Sequence, residues 1–196
     1  MALPRAQTSL TRSGSGVLYS TVQLNTADSL SNASRQFFGY GQGSVAPGMT
    51  TTSTVTETNL MQASTVGGDA SFVATGLSLG FFYPGSKVSL SAADLHDCLD
   101  SSIVSWQFNQ TVIQLCPAIM AGQGGGVYGV GGTNTTVAAE LNNGAGGIFR
   151  FSPVVLYPNA TFSLIVNWGV SAIAPSAAIL MRATFVGSYQ NALAAG

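Results

Sequence analysis

The chain has 196 residues, of which 46% are hydrophobic and 7% are charged, and its formal net charge is -1 at pH 7. A soluble domain usually has about 25% charged residues, and a disordered chain combines high charge with low hydrophobicity, so this composition excludes disorder and charge-rich helical bundles. Six Lys and Arg residues are too few to cover a nucleic acid, and two Cys residues are too few for a disulfide framework.

What remains is one folded domain with a surface of Ser, Thr, Asn, Gln and Gly, and such a weakly charged surface favours association. Residues 1–16 are polar and predict a flexible N-terminal arm ahead of a single domain at 17–196. The arm has no apolar stretch typical of a signal peptide, which favours the cytoplasm and free thiols at Cys98 and Cys116. No window offers the roughly 20 mainly apolar residues of a membrane span.

Beyond the arm, apolar and polar residues alternate with the period of two that is typical of half-buried β-strands. The alternation is clearest at 162–170, where it predicts that Trp168 and Val170 face the core together with every second residue before them. Similar patterns predict strands at 17–24, 51–57, 72–82, 102–108, 111–117, 135–141, 147–157 and 179–186. Pro153 indicates an edge strand or a bulge, because proline cannot donate a hydrogen bond to a neighbouring strand.

One short helix is expected near 91–100, where a serine N-cap and Asp94 three residues later approximate a capping box. The only acidic cluster of the sequence surrounds His96 and consists of Asp94, Asp97 and Asp100. Three carboxylates at this spacing offer oxygen ligands to a divalent cation. Stabilisation of the helix ends explains them more simply, so we expect no metal site.

An enzyme would have to use His96, the only histidine, with Asp94 or Asp97 as its partner. Cys98 lies two residues from His96, so on a helix its side chain points elsewhere. No nucleophile motif accompanies the serines, and we therefore expect no catalytic residues and no cofactor.

A glycine-rich segment at 122–129 contains the pattern G-x-G-x-x-G at Gly124, Gly126 and Gly129. A dinucleotide site needs a helix directly after this pattern, so that a phosphate meets the helix N-terminus. Residues 130–134 predict no helix, and we interpret the segment as a long loop between strands.

The aromatic and arginine residues have structural interpretations as well. Trp106, Phe108 and Trp168 alternate within predicted strands, which favours core packing over an exposed platform for sugars or bases. Arg5 and Arg12 are the candidate contacts of the arm with a packaged nucleic acid, although two arginines add little affinity.

Three segments in the C-terminal half carry a resemblance to a known family: GIFRFSPVVLYP at 147–158, FSLIVNW at 162–168 and MRATFVG at 181–187. In this order they resemble the last three strands of jelly-roll capsid proteins from small tailless icosahedral bacterial viruses, including the Finnlake-virus type. Upstream segments are similar too, and the resemblance covers about residues 37–190.

The resemblance implies an all-β fold, a single jelly-roll β-sandwich or barrel with the short helix near 91–100, since the double-roll members of the family are longer. It implies a structural capsid protein that self-assembles into an icosahedral shell around the genome, located in the virion after synthesis in the host cytoplasm. The implied partners are copies of itself, a second capsid or spike protein, and the genome, contacted weakly through the arm. The family has no catalytic residues.

The sparse charge agrees with this function, because burying subunit surface costs less when few ions lose their water. The sequence leaves open whether the protein is a major or a minor shell component and whether a membrane lies beneath the shell. An alternative function is a viral spike, a receptor-binding domain or a carbohydrate-binding β-sandwich module. Exposed aromatic residues beside the glycine loop would favour that alternative.

Overall fold

The computed structural model of the chain describes residues 11–66, 70–82, 94, 98–108, 111–122, 147–158, 160–172 and 174–192. Within these ranges the strands are β1 (Thr11–Leu24), β2 (Ser34–Phe37), β3 (Ala70–Phe82), β4 (Ser102–Phe108), β5 (Thr111–Pro117), β6 (Phe149–Leu156), β7 (Phe162–Trp168) and β8 (Ile179–Ala192). A 3-10 helix, Ala118–Ala121, follows β5. The predicted all-β fold is confirmed, and no helix of the described ranges has the length and apolar character needed to cross a membrane.

The strands form two four-stranded antiparallel sheets. Sheet A has the strand order β1-β8-β3-β6, and sheet B has the order β2-β7-β4-β5. Of the consecutive described strands, β4 and β5 form a hairpin within one sheet, while each of the other connections passes from one sheet to the other. The chain therefore winds between two layers.

The two sheets pack face to face around the ring of Phe185, which projects from β8 of sheet A. Its centroid lies 4.8 Å from that of Trp106 on β4 and 5.1 Å from that of Phe38, which follows β2. Phe162 of β7 and Phe151 of β6 complete the group at 6.4 Å and 6.3 Å. These distances are typical of contacting aromatic rings, so the core is a continuous layer between the sheets.

The predicted inward face is confirmed on β7 as far as Trp168, because Phe162, Leu164, Val166 and Trp168 are buried. Val170 is an error of the prediction, since it is 76% exposed. β7 ends at Trp168 and a turn follows at 170–171, so the alternation of side chains no longer holds there.

β1 begins earlier than the predicted start of the domain at position 17. Residues 11–16, which the sequence analysis assigned to the flexible arm, pair with β8 from Thr11 opposite Ala192 to Gly16 opposite Gly187. Polar residues predict an arm because they offer no apolar face, but strand pairing needs only the backbone. Residues 1–10 lie outside the described ranges.

The predicted strand at 51–57 is wrong. Thr52 forms one isolated bridge with Val45, and the chain then turns. The N–H groups of Glu57 and Thr58 donate to the carbonyl of Thr54, whose own N–H donates to the Glu57 carboxylate. The β-branched threonines imitate a strand in composition, whereas the Thr-x-x-Glu spacing favours this capping-box turn.

Other local predictions have mixed outcomes. Pro153 lies on β6 at the edge of sheet A and in a bulge, as predicted, because Ala74 pairs with Val154 while Gly76 pairs with Arg150. The short strand β2 was not predicted. Of the predicted helix, Asp94 and residues 98–100 are described and helical. The predicted strand at 135–141 lies outside the described residues.

Candidate assembly interface

The four edge strands of the two sheets are the places where another chain can add to this fold. They are β1 and β6 in sheet A, and β2 and β5 in sheet B. An edge strand has a row of unpaired backbone N–H and C=O groups, and proteins usually cover, shorten or charge such an edge. The four edges of this sandwich differ in this respect.

The free edge of β1 is covered by the side chain of Asn59. The Asn59 Oδ1 atom accepts a hydrogen bond from the Tyr19 N–H at 2.9 Å, and its Nδ2 atom donates to the Val17 carbonyl at 2.7 Å. Farther along, the Gln23 N–H donates to the carbonyl of Pro47 at 3.0 Å. A side-chain amide offers an N–H donor and a C=O acceptor, as a peptide group does, so Asn59 pairs with β1 in the way that a neighbouring strand would.

Arg182 of β8 fastens the covering segment, residues 41–60, to the outer face of sheet A. Its Nε atom donates to Thr21 Oγ1 at 3.0 Å, a terminal nitrogen donates to the carbonyl of Thr56, and its guanidinium lies 5.1 Å from the centre of the Tyr19 ring. Burial acts to raise the pKa of Glu57, but hydrogen bonds from Thr56 and from Thr54 outweigh it and hold that pKa below its usual value.

The edges β2 and β6 are protected in other ways. β2 has four residues, and Arg35 within it forms an ion pair with Asp28 at 3.1 Å. β6 carries Pro153 and the bulge opposite β3, together with the exposed side chain of Arg150. Short length, charge and proline each disfavour the addition of another strand.

Among the described edges β5 is the least protected: it is longer than β2, and its one irregularity is a register shift opposite Val104 and Ser105, near its C-terminal end. Its sequence, TVIQLCP, contains no charged residue, and its one proline is the last residue. Val112 is 58% exposed and Ile113 is 55% exposed. Ile113 lies opposite the inward-facing Trp106 and Val112 opposite Gln107, so apolar side chains are exposed on both faces of this strand.

Two cavities lie on the outer faces of the sheets. A groove of about 510 Å³ opens between the covering segment and sheet A, with Gln23 and Leu180 in its floor and Thr50, Thr51, Thr52, Thr54, Thr56, Met49 and Glu57 around it. A smaller cavity of about 110 Å³ on sheet B has Gln36, Ser64, Gln107, Thr161, Phe162 and Ser163 as its lining. Hydroxyl and amide groups dominate the lining of the smaller cavity, whereas the groove combines them with apolar surface in similar amounts, so both suit water or neutral polar ligands.

The acidic cluster predicted around the helix is only partly described. Asp94 is 8% exposed, and its carboxylate accepts hydrogen bonds from the N–H of Ser176 at 3.0 Å and from its hydroxyl at 2.5 Å. Asp94 therefore connects the helix to the segment before β8. Asp100 is exposed, and His96 and Asp97 lie outside the described residues. Across the described ranges, no three His, Cys, Asp or Glu residues are grouped closely enough to hold a metal ion.

Both cysteines are buried free thiols, as predicted. Burial raises the pKa of Cys116 to about 11. The carbonyl of Cys98 accepts hydrogen bonds from Trp168 Nε1 at 3.0 Å and from Ser102 Oγ at 2.7 Å, which joins the helix to β7 and β4.

The core interpretation of the aromatic residues is confirmed. Trp106 and Trp168 are 4% and 3% exposed, and Phe108 packs against the core. The indole N–H of Trp106 has no hydrogen-bond partner within the part of the chain that the structure describes. The backbone of Arg12 pairs with Asn191, and the side chain of Arg12 and all of Arg5 lie outside the described residues.

The predicted glycine loop is described only at its first residue, Gly122, which forms a parallel bridge with Leu79. The three glycines of the G-x-G-x-x-G pattern, Gly124, Gly126 and Gly129, lie outside the described ranges. The sequence analysis did not find Asn59 or Arg182, because a single polar residue gives no periodic signal. It also did not identify β5 as an edge, since strand order is not encoded in hydrophobic alternation.

Comparisons of the chain with known proteins return no match. No protein-family model matches it, no curated protein does, and no solved structure does. The functional interpretation below therefore depends on the residues and the geometry of this chain.

Proposed function

We propose that the protein is a structural capsid protein with a single jelly-roll fold that self-assembles into an icosahedral shell around a viral genome. The observation that carries the proposal is the pattern of strand partners. β1 pairs with β8, β2 with β7, β3 with β6 and β4 with β5. This pairing is the one expected of a long antiparallel ribbon rolled into two sheets, and it supports a jelly roll, a fold that viral capsid proteins use.

The character of the surface supports the same proposal. A shell subunit buries surface against several neighbours, and each charge buried without a partner adds a desolvation cost. With 7% charged residues the chain has few such charges, and β5 adds an uncharged edge with exposed apolar residues. The protein's work would be assembly, with no catalytic step.

The partners in this proposal are further copies of the chain, a second capsid or spike protein, and the genome. The genome contact would be weak and would involve the N-terminal residues, because six Lys and Arg in the whole chain give few phosphate contacts. The site of action would be the virion, after synthesis in the host cytoplasm.

Size-exclusion chromatography with negative-stain electron microscopy of the full chain tests the proposal. Assembly should appear as capsomers or closed shells when concentration, salt and pH are varied. A chain that stays monomeric at high concentration under all these conditions would refute it. Lysozyme at the same concentrations is the control for non-specific association.

The alternative, a viral spike, receptor-binding domain or carbohydrate-binding module, is favoured by the groove beside Leu180. Five threonines in its lining offer hydroxyls that can donate to and accept from a sugar, and Met49 provides apolar contact. A glycan array read with the wild type and with Thr52→Val separates the two functions. Binding of a sugar class that Thr52→Val weakens supports the alternative, and an array without signal contradicts it.

A further inference from the structure

We propose that the free edge of β5 pairs with β5 of a second copy of this chain, antiparallel across a two-fold axis, so that sheet B continues from one copy into the next. This inference rests on the proposed function, because it names the contact through which assembly begins. It is carried by the contrast among the four edges and by the residues of β5 itself.

The contrast among the edges is the first argument. β1 is covered by Asn59, β2 is short and contains an ion pair, and β6 carries Pro153 and a bulge. β5 is as long as β7, and within the described ranges no backbone hydrogen bond from another segment reaches its free edge. Within the described ranges three edges are protected, whereas β5 is uncharged and apolar and is regular from Thr111 to Gln114, so β5 is the edge best suited to strand addition.

The side chains of β5 are the second argument. An added strand would bring neighbouring side chains to both faces of the sheet edge, where Val112 and Ile113 are now exposed. Apolar surface on both faces would then be removed from contact with water, which favours the pairing. The 3-10 helix after β5 adds Met120, which is 55% exposed, at the C-terminal end of the same strand.

The absence of charge identifies a second copy as the occupant. In a two-fold antiparallel pair, each β5 lies opposite an identical β5, so any charged residue near the axis would meet its own like charge. The segment from Thr111 to Gly122 contains no Asp, Glu, Lys or Arg. A partner of different chemistry would find no charge on β5 to orient it, whereas a copy of the same neutral strand fits without repulsion.

Val112→Lys tests the contact, with Val170→Lys as the matched control. Both valines are exposed, so neither change should affect folding by more than about 0.5 kcal/mol, and the two variants have equal net charge. Val112→Lys replaces an apolar side chain of the contact by a charge in each copy, whose burial costs desolvation, and we expect its dimer dissociation constant in sedimentation velocity to rise about tenfold or more. Val170→Lys should stay within about twofold of the wild type, because it lies outside the contact.

Hydrogen exchange of the wild-type chain at low and high concentration identifies the segment that pairs. The amides of β5 should gain protection as concentration rises. Protection of β5 that is already complete in the monomer would overturn the inference, because a segment of the same chain, such as 135–141, would then occupy the edge.

The two proposals fail in different ways. Shells that form equally well from Val112→Lys and from the wild type would overturn the β5 contact and leave the capsid proposal standing. A chain that dimerises through β5 and forms nothing larger under any condition would support the contact and refute the capsid proposal. A wild type that is monomeric at all concentrations would refute both.

Discussion

The two buried tryptophans provide a matched pair for testing what a hydrogen bond to a buried indole N–H contributes to stability. Trp106 and Trp168 are exposed to nearly the same small extent, 4% and 3%. They differ at the indole nitrogen: that of Trp168 donates to the carbonyl of Cys98 at 3.0 Å, and that of Trp106 has no partner among the described residues. Replacement of each by phenylalanine removes a similar volume, so the difference between the two variants reports mainly on the N–H group.

The expected magnitudes follow from these two environments. Trp168→Phe removes a hydrogen bond with a net value of about 0.5–1.5 kcal/mol, in addition to the lost packing. Trp106→Phe removes a buried donor that has no partner among the described residues. An unsatisfied buried donor costs about 1–3 kcal/mol, and its removal offsets the lost packing. Trp168→Phe should therefore lower the free energy of unfolding by about 1.5–4.5 kcal/mol more than Trp106→Phe does.

Urea unfolding followed by circular dichroism measures this difference, because each variant removes one of the two tryptophan fluorophores. The slope of the unfolding free energy against urea concentration must match that of the wild type for the comparison to hold. If Trp106→Phe is as destabilising as Trp168→Phe, or more so, then the indole of Trp106 has a partner and the reasoning about this core is wrong.

Three further predictions concern the sheet A side of the fold. A methyl group on Gly187 would lie 1.9 Å from the carbonyl oxygen of Val73 on the neighbouring strand. Gly187→Ala should therefore lower the free energy of unfolding in urea by about 3 kcal/mol or more. The control is Gly14→Ala, where no heavy atom lies within 4 Å of the new carbon, and it should change this free energy by less than about 1 kcal/mol. Burial raises the pKa of Tyr40 from 10.0 to about 12. Because the folded state favours the neutral phenol, the contribution of Tyr40 to the unfolding free energy is complete below pH 10 and falls by up to about 3 kcal/mol as pH rises towards 12. Tyr40→Phe should make the decline of the unfolding free energy at alkaline pH shallower. An unchanged decline would contradict the assignment to Tyr40. Asn59→Ala should uncover the edge of β1 and raise amide exchange of Tyr19, while exchange in β5 stays as in the wild type; no change at Tyr19 would show that the side chain of Asn59 does not cover that edge.

The fold class and much of the core could be predicted from the sequence, because alternation reports directly which residues face inward. Phe162 and Trp168 were placed correctly for this reason. The same signal fails where the backbone decides alone: residues 11–16 have no apolar face and still pair with β8. It also fails at 51–57, where side-chain hydrogen bonds of Thr54 and Glu57 form a turn from residues with high strand propensity.

The candidate interface was less accessible to sequence analysis. The pattern of β5 predicts a strand, but its position at an edge depends on β4 taking β7 as its other neighbour, a pairing between residues far apart in the chain. Asn59 and Arg182 likewise act through hydrogen bonds to residues far away in the chain. Low overall charge was the one sequence feature that favoured association before any of these positions was known.

The pairing of β1 with β8 has a consequence for biosynthesis. β1 leaves the ribosome roughly 150 residues before β8, its register partner in sheet A, so the pairing is delayed by a time on the order of ten seconds. The β4–β5 hairpin joins nearby residues and can form while the chain is still being made. Sheet B can thus begin cotranslationally, whereas β1 must wait in a nascent, unpaired state until β8 emerges, and a chaperone that shields β1 during that interval would raise the yield of folded subunits.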